Sequence, residues 1–196
     1  SPSAADASYQ LLTEDELGEI LKELPTRPLM AGKKDIRLSL AGAQNKLAVR
    51  VCDQGIALPL RGSPSTHILK PAPVHFPNLV TNEAYCMNLA AQAGLSTAKA
   101  SVGKVSEIEF LLMERYDRER DGQGQISRLH QEDFCQALSR SPLTKYQSEG
   151  GPSLAEAFQL LRRVSSAPTI DVISLLEAVT FNFLIGNNDA HGKNFS

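Results

Sequence analysis

A single change of pattern along these 196 residues most limits what the chain can fold into. Between residues 36 and 116, four runs separated by Gly, Pro, Asp and Ser are typical of strands: KLAVRV, THILK, ASVGKV and EFLLMERY. One helical segment interrupts them, LVTNEAYCMNLAAQAG, in which Gly94 is placed to end the helix. From about residue 127 the spacing of apolar residues becomes helical in HQEDFCQALSR, SLAEAFQLLRRV and TIDVISLLEAVTFNFLIG. The pattern predicts an α+β chain, β-rich first and helical afterwards.

The segments that flank these two parts are predicted from their composition. LTEDELGEILKEL is typical of a short amphipathic helix, with Thr13 as its N-cap and Glu16 completing a capping box. The preceding SPSAADASYQ is small and polar, and it predicts a loose tail. RERDGQGQ is charged and Gly-rich, which favours a linker or the tip of a hairpin. We therefore expect a tail and helix in 1–35, a β-rich lobe in 36–118 and a helical lobe in 127–196.

Composition excludes several broad classes of protein. With 42% hydrophobic residues, 21% charged residues and a net charge of −2, the chain is neither disordered nor a binder of nucleic acid through bulk charge. Its three cysteines are odd in number and lack CxxC spacing, which predicts reduced, buried thiols in a cytoplasmic protein. The longest apolar run, VISLLEAVTFNFLIG, contains Glu177 and Asn182 and falls short of the about 18 apolar residues of a membrane span. It predicts a buried core helix.

The residues after that run carry the strongest chemical signal. In LIGNNDAHGKNFS, Asp189 and Asn194 are five positions apart, as are the Asp and Asn of the protein-kinase catalytic loop. In that loop the Asp takes the proton of the acceptor hydroxyl and the Asn holds Mg²⁺. The alternative is a helix C-terminal cap, in which Asn187, Asn188 and Asp189 bind the backbone of the loop.

Two further motifs match what phosphoryl transfer needs. Lys70 ends the run THILK, and a kinase requires such a cation on its nucleotide phosphates, held by a helix Glu. Glu83 opens the helix that follows and is a candidate for that Glu, although Lys70 at a strand end is equally typical of a surface. SLAGAQNK places Gly42 among small residues before a strand, where backbone N–H groups can approach a phosphate. A simple β-turn is the alternative for this segment.

The junction between the two parts supplies the remaining candidates. LLMERYDR places Glu114 and Tyr116 where the backbone of a bilobal kinase faces the adenine ring, the alternative being a charged strand end. In HQEDF, Asp133 is a candidate helix cap and Gln131 a candidate ribose or adenine contact. These candidates thus follow one another in the order found in a kinase: a glycine-containing loop, a strand Lys, a helix Glu, a junction, a helical part and an Asp–Asn loop.

The chain resembles the HipA family, serine/threonine kinase toxins of bacterial toxin–antitoxin modules. The resemblance runs from about Leu12 to Ser196 and rests on SLAGAQNKLAV, THILKP, NEAYC, ERYDR, QEDFCQ, KYQSEGGP and FNFLIGNNDAHGKNFS. It implies a bilobal protein-kinase-like fold, with a small β-rich N-lobe that carries one helix and a helical C-lobe that is truncated here. It also implies ATP and Mg²⁺ as cofactors, a bacterial cytoplasmic location and no membrane association.

The same resemblance assigns roles in and around the catalytic loop. Asp189 matches the catalytic Asp of the family and Asn194 its Mg²⁺ ligand. His191 and Lys193 lie between them and are further candidates for the catalytic set. Ser39 matches the serine that the family phosphorylates on itself, which displaces the SLAG loop and inactivates the kinase.

The resemblance also implies a nucleotide site and partners. The residues expected at the nucleotide are Gly42, Ala43, Lys70, Glu83, Glu114, Tyr116 and Gln131. The expected partner is a HipB-like helix-turn-helix antitoxin, and DNA is expected to be contacted only through it. The expected substrate is a protein, and the family's known targets are aminoacyl-tRNA synthetases.

Two departures from the family pattern leave other functions open. The segment before RLSLAGAQ is too short for the family's N-terminal subdomain, and no Asp follows Asn194 to serve as a second Mg²⁺ ligand. We therefore expect an incomplete metal site and a fragment of a longer protein. One alternative is a catalytically dead HipA-like module that binds an antitoxin and assists operon repression. Another is a kinase for small molecules or lipids, since Asp-x-His-x-x-Asn also resembles the lipid-kinase pattern.

Overall fold

The computed structural model describes residues 8–24, 45–73, 75–76 and 78–196. The chain divides into two compact units, one holding residues up to 89 together with 97–129, and the other holding 90–96 together with 130–196. The strands lie in the first unit. Most of the helical residues of the second unit lie in its segment 130–196. The predicted α+β class is confirmed. Ser39, Gly42 and Ala43 lie outside the described residues.

The first unit is built on a six-stranded antiparallel sheet with the order β1-β3-β2-β4-β6-β5. Its strands are β1 (Ser8–Leu11), β2 (Leu47–Cys52), β3 (Gly55–Leu60), β4 (His67–Pro71), β5 (Ala100–Val105) and β6 (Ile108–Glu114). A separate hairpin pairs β7 (Arg118–Arg120) with β8 (Ile126–Arg128). The Gly-rich segment between them is therefore a hairpin tip, one of the two alternatives predicted for it.

Helices cover both faces of this sheet. Helix α1 (Glu14–Glu23) begins at the predicted Thr13–Glu16 capping box and packs Leu17, Ile20 and Leu21 on strands β2, β3 and β4. Helix α2 (Leu79–Gln92) packs on the other face, and the positive φ of Gly94 follows its end as predicted. One helix thus packs against each face of the sheet.

The prediction of a loose N-terminal tail is wrong for residues 8–10. Strand β1 pairs with β3 in antiparallel register, and the Ser8 N–H donates to Ser63 Oγ at 2.9 Å. The Tyr9 hydroxyl donates to the Pro64 carbonyl at 3.2 Å, and the Arg50 guanidinium lies 4.2 Å from the Tyr9 ring centroid. The small polar residues of this segment do not predict a strand. The strand forms because it pairs with the edge of β3, which lies far away in the sequence.

The second unit is helical and small. It contains α3 (Phe134–Ala137), a 3₁₀ turn (Gln147–Glu149), α4 (Leu154–Val164) and α5 (Pro168–Leu184). Asp133 caps α3 as predicted, but this helix is much shorter than the helical run HQEDFCQALSR suggested. The core of the unit joins residues of α3, α4 and α5: Phe134, Ala157, Leu160 and Leu175.

The prediction that the long apolar run forms a buried core helix is wrong. In α5 only Leu175 is buried, whereas Ile170, Leu176, Leu184 and Phe183 are exposed, the last by 82%. The helix packs on α4 along a single stripe, so its remaining apolar side chains lie outside the core. Within the described residues, no helix is both long and apolar enough to cross a membrane. Cys135 is buried as expected, while Cys52 and Cys86 are only partly buried.

Gly103 generates a prediction about the stability of the sheet. It lies opposite Phe110 in the β5–β6 pair, and a Cβ atom at Gly103 would lie 2.5 Å from Phe110 Cζ. The Phe110 ring is buried in the core and cannot move aside freely, so Gly103→Ala should lower the free energy of unfolding by about 1–3 kcal/mol. Urea denaturation measures this change.

The matched control for that variant is Gly122→Ala at the hairpin tip, where an added Cβ would have no atom within 4 Å. This control should change the unfolding free energy by no more than about 0.5 kcal/mol. Equal stability of the Gly103→Ala variant and the wild type would show that the Phe110 ring does not constrain this position.

Candidate functional site

An ion pair in the first unit joins Lys70 to Glu83. The Lys70 ammonium lies 2.6 Å from the Glu83 carboxylate, and the two side chains are 18% and 28% exposed. Lys70 lies opposite Leu111 in the β4–β6 register, on the face of the sheet against which α2 packs through Val80 and Ala84. Glu83 lies in the second turn of α2, so the expectation that it opens the helix is wrong, but the predicted pairing is confirmed. The pair holds a cation in a partly desolvated position.

Glu114 and Tyr116 lie at and just beyond the end of β6. The Glu114 N–H donates to the Lys99 carbonyl at 2.8 Å, and its carboxylate lies 3.7 Å from the Lys99 ammonium. The Tyr116 side chain is largely exposed. These positions agree with a strand end, and their adenine-binding role stays a prediction.

A buried carboxylate beside this segment was missed by sequence reasoning. Asp117 is buried and receives hydrogen bonds from the Arg115 guanidinium at 2.6 Å and the Arg118 guanidinium at 2.8 Å. Burial alone raises the pKa of Asp117, but the hydrogen bonds and charges of the two arginines outweigh burial and lower it. Arg118 also donates to the Ser65 carbonyl at 2.7 Å. The cluster fixes the course of the chain after β6, although ERYDR is typical of a solvated surface.

The loop after α5 is organised by its own polar groups. The Asp189 N–H donates to Asn187 Oδ1 at 3.1 Å, so Asn187 has the role that the capping alternative gives it. The Asn194 amide nitrogen donates to the Asp189 carbonyl at 2.6 Å, which spans the five-residue separation. The Lys193 N–H donates to His191 Nδ1 at 3.2 Å. The first two bonds engage the backbone of Asp189 and do not involve its carboxylate.

That carboxylate instead meets side chains from a distant segment. Tyr146 donates its hydroxyl hydrogen to Asp189 Oδ1 at 2.6 Å, and the Lys145 ammonium lies 3.8 Å from the same oxygen. His191 Nε2 lies 3.6 Å from it. The sequence analysis included KYQSEGGP among the family motifs but gave Lys145 and Tyr146 no role. The Asp189 side chain is nevertheless 70% exposed, so it is held from one side and open on the other.

The two rings beside Asp189 have defined protonation states at neutral pH. Burial, followed by the positive charge of Lys145, lowers the pKa of His191, whose side chain is only 6% exposed. Since Nδ1 accepts the Lys193 N–H, the single proton of the neutral ring lies on Nε2, toward Asp189. The hydrogen bond to Asp189 raises the pKa of Tyr146, so its hydroxyl keeps its proton.

Only one predicted metal ligand lies in this loop. The Asn194 amide nitrogen is committed to the Asp189 carbonyl, which leaves the amide oxygen as the atom suited to Mg²⁺. Among the described residues, no three His, Cys, Asp or Glu side chains gather as a metal-binding group. The donors present fit a partial Mg²⁺ site. Gln131 is exposed two residues before the Asp133 cap, and its nucleotide contact stays a prediction.

Comparison with known proteins identifies the family and the fold of the chain. The family described as HipA-like C-terminal domain matches residues 38–196. A candidate kinase of Sinorhizobium fredii, Y4mE, is 54% identical over 184 residues, which cover 93% of this chain and 44% of that protein. The serine/threonine-protein kinase toxin HipA of Shewanella oneidensis is 34% identical over 171 residues, covering 82% of this chain and 39% of the toxin. The chain thus spans less than half of the length of these curated relatives.

A solved structure is similar as well. It is the complex of HipA, HipB and operator DNA from Shewanella oneidensis, and the likeness has a TM-score of 0.75 at 30% sequence identity. The match covers 96% of this chain and 46% of the chain in that structure. The predicted kinase-like fold and the family resemblance are confirmed.

The Lys70–Glu83 pair generates a prediction that needs no assay of activity. Lys70→Ala and Glu83→Ala should each destabilise the protein, because each leaves a half-buried charge without its partner. The double variant should be less destabilised than the sum of the singles, with a coupling of about 0.5–3 kcal/mol in urea unfolding.

The control cycle uses Lys104 and Glu107, which are 3.2 Å apart in the same unit but exposed. Its coupling should not exceed about 0.5 kcal/mol. Additive effects of Lys70→Ala and Glu83→Ala, equal to those of the control cycle, would contradict a specific pair.

Proposed function

This chain belongs to the family of HipA-like C-terminal domains, and from that membership we propose that it carries the active site of an ATP-dependent serine/threonine protein kinase. The observation that carries the proposal is the geometry of the loop after α5. Because Asn194 binds the backbone carbonyl of Asp189, the Asp189 carboxylate and the Asn194 amide oxygen both stay available for chemistry. A loop that served only as a helix cap would not need an available Asp189 carboxylate or Asn194 amide oxygen.

In the proposed reaction, an Asp189 oxygen accepts the proton of the acceptor hydroxyl as that hydroxyl attacks the γ-phosphorus of ATP. The bond from the γ-phosphorus to the bridging oxygen breaks, and ADP leaves. Asn194 would help to hold Mg²⁺, which offsets the charge of the phosphates when it is bound. His191 and Lys193 belong to the same catalytic set.

The nucleotide side of the proposal rests on the Lys70–Glu83 pair. Glu83 holds the Lys70 ammonium in one position, so a phosphate that binds there does not have to order a mobile lysine side chain. Lys70→Ala and Glu83→Ala should therefore weaken nucleotide binding to a similar extent. The remaining nucleotide contacts are proposed from the family resemblance: Gly42, Ala43, Glu114, Tyr116 and Gln131.

We extend the proposal to partners by the same family relation. A relative is named as a HipA toxin, and the similar structure is a complex of HipA with HipB and operator DNA. A HipB-like helix-turn-helix antitoxin is the proposed partner, with DNA contacted only through it, and an aminoacyl-tRNA synthetase is the proposed substrate. Incubation of the full-length protein with labelled ATP and bacterial lysate, followed by mass spectrometry, identifies the substrate.

A second candidate function is a catalytically dead module that binds the antitoxin and assists operon repression. The observation in its favour is that the similar HipA chain was solved in a complex with HipB and operator DNA. Antitoxin binding without any ATP-dependent phosphorylation would favour this module over the kinase.

Asp189→Asn should abolish phosphoryl transfer and leave the fold intact. Loss of a general base lowers kcat by about 10²–10⁴-fold, whereas an exposed carboxylate on a loop contributes little to packing. The melting temperature should shift by less than about 4 °C, which corresponds to less than about 1 kcal/mol in a chain of this size. Radiolabelled phosphate transfer and calorimetry measure the two effects.

Asp171→Asn is the matched control, because Asp171 also accepts a hydrogen bond from a hydroxyl, that of Ser165 at 2.5 Å, but at the start of α5. It should keep full activity. Joint loss of folding and activity in Asp189→Asn would instead support a purely structural cap.

We further propose that Ser39 is an autophosphorylation site. A phosphoserine carries about −1.5 to −2 charges at neutral pH, and in the family this charge displaces the SLAG loop. Ser39→Ala should then bind nucleotide normally and escape self-inactivation, while Ser39→Asp should bind ATP more weakly. Mass spectrometry and fluorescent-nucleotide titration of the full-length protein test this, with exposed Ser127→Asp as control. Equal affinities of wild-type, Ser39→Asp and phosphorylated protein would exclude the switch.

A further inference from the structure

The hydroxyl of Tyr146 makes the shortest side-chain contact to the Asp189 carboxylate. Its distance to Oδ1 is 2.6 Å, whereas the Lys145 ammonium and His191 Nε2 lie at 3.8 Å and 3.6 Å. An exposed carboxylate on a loop otherwise exchanges freely among its rotamers. A hydrogen bond to a charged acceptor is among the stronger ones, so Tyr146 is the group that most restricts Asp189.

Tyr146 is itself held on three sides. Its ring meets the His191 ring edge-on, with centroids 5.1 Å apart and an interplanar angle of 87°. The Lys145 ammonium lies 4.9 Å from the centroid of the Tyr146 ring. The Tyr146 carbonyl accepts the Gly151 N–H at 2.9 Å. The hydroxyl therefore approaches Asp189 from a fixed direction.

The backbone attaches this segment to the loop that carries Asp189. The Gly192 N–H donates to the Lys145 carbonyl at 3.2 Å, and the Gly192 carbonyl accepts the Phe134 N–H at 3.0 Å. A Cβ atom at Gly151 would lie 2.5 Å from the Thr144 carbonyl oxygen, and one at Gly192 would lie 2.8 Å from Pro152 Cγ. The two glycines allow a close approach that no other residue would permit. The segment 144–152 and the loop 187–194 thus form one packed body.

We propose that Tyr146 is a positioning residue of the kinase, which binds one oxygen of the Asp189 carboxylate so that the other faces the acceptor hydroxyl. This inference rests on the proposed function and deepens it. Tyr146 keeps its proton throughout, since its part is to donate a hydrogen bond and not to transfer a proton. No bond to Tyr146 forms or breaks in the reaction.

The test compares Tyr146→Phe with the wild type in the full-length protein. The variant keeps the ring that packs on His191 and removes only the hydroxyl. We expect kcat to fall about 10-fold to 100-fold, the effect of losing a hydrogen bond to a charged group. The KM for ATP, the Kd of a fluorescent ATP analogue and the melting temperature should stay unchanged. Tyr85→Phe, which removes the hydroxyl of an exposed tyrosine on α2, is the matched control and should behave as wild type.

A second measurement reports the contact without any activity. The ¹³Cγ resonance of Asp189, assigned by its loss in Asp189→Asn, should shift in Tyr146→Phe and stay in place in Tyr85→Phe. An unmoved resonance, or an unchanged kcat in an active enzyme, would overturn the positioning role. If the wild type transfers no phosphate but the Asp189 resonance shifts in Tyr146→Phe, the proposed kinase activity is refuted and the Tyr146–Asp189 contact is retained. A loss of nucleotide affinity equal to the loss of kcat would indicate a structural role and overturn the inference.

Discussion

The structure of the first unit depends on apolar packing against both faces of one antiparallel sheet. An exposed sheet face would leave its apolar side chains in water, and burial gains about 25 cal/mol per Å² of apolar surface. Helix α1 covers the face of Leu47, Val49 and Leu69, while α2 covers the face of Leu111. Side chains alternate between the two faces along a strand, so Lys70, the residue after Leu69, lies on the opposite face, which is the one that contacts α2. The register that buries the core therefore also brings Lys70 to Glu83.

A different constraint shapes the second unit. Its core is small, and α5 contributes one buried residue, Leu175, so packing alone specifies little about the loop that follows. Hydrogen bonds and close backbone contacts at Gly151 and Gly192 specify that loop instead. A backbone held by such contacts keeps a solvent-exposed carboxylate in one place without burying it. This combination suits a group that must meet a substrate from solution.

Parts of the site were predictable because their signals are local or periodic. The capping box at Thr13 and the helix cap at Asp133 each need only four consecutive residues of sequence, and both are present. The Lys70–Glu83 pair was predictable from the order of a strand and a helix, which implies adjacency in space. The failures have the opposite character. Strand β1 depends on an edge about fifty residues away along the chain, and the exposure of α5 depends on which faces of the helix find partners.

The sequence by itself determined the alternation of elements, the helix caps and the set of polar residues in the loop after α5, because each follows from spacing along the chain. Only the tertiary structure decided which groups surround Asp189. Tyr146 and Lys145 lie more than forty residues before it, in a segment whose composition is that of an ordinary loop. The buried Asp117 cluster is similar, since the Ser65 carbonyl accepts a hydrogen bond from Arg118, 53 residues later in the chain. Contacts of this kind join residues that are far apart in the sequence. For such residues, residue type and spacing along the chain do not predict the distance between them in the folded protein.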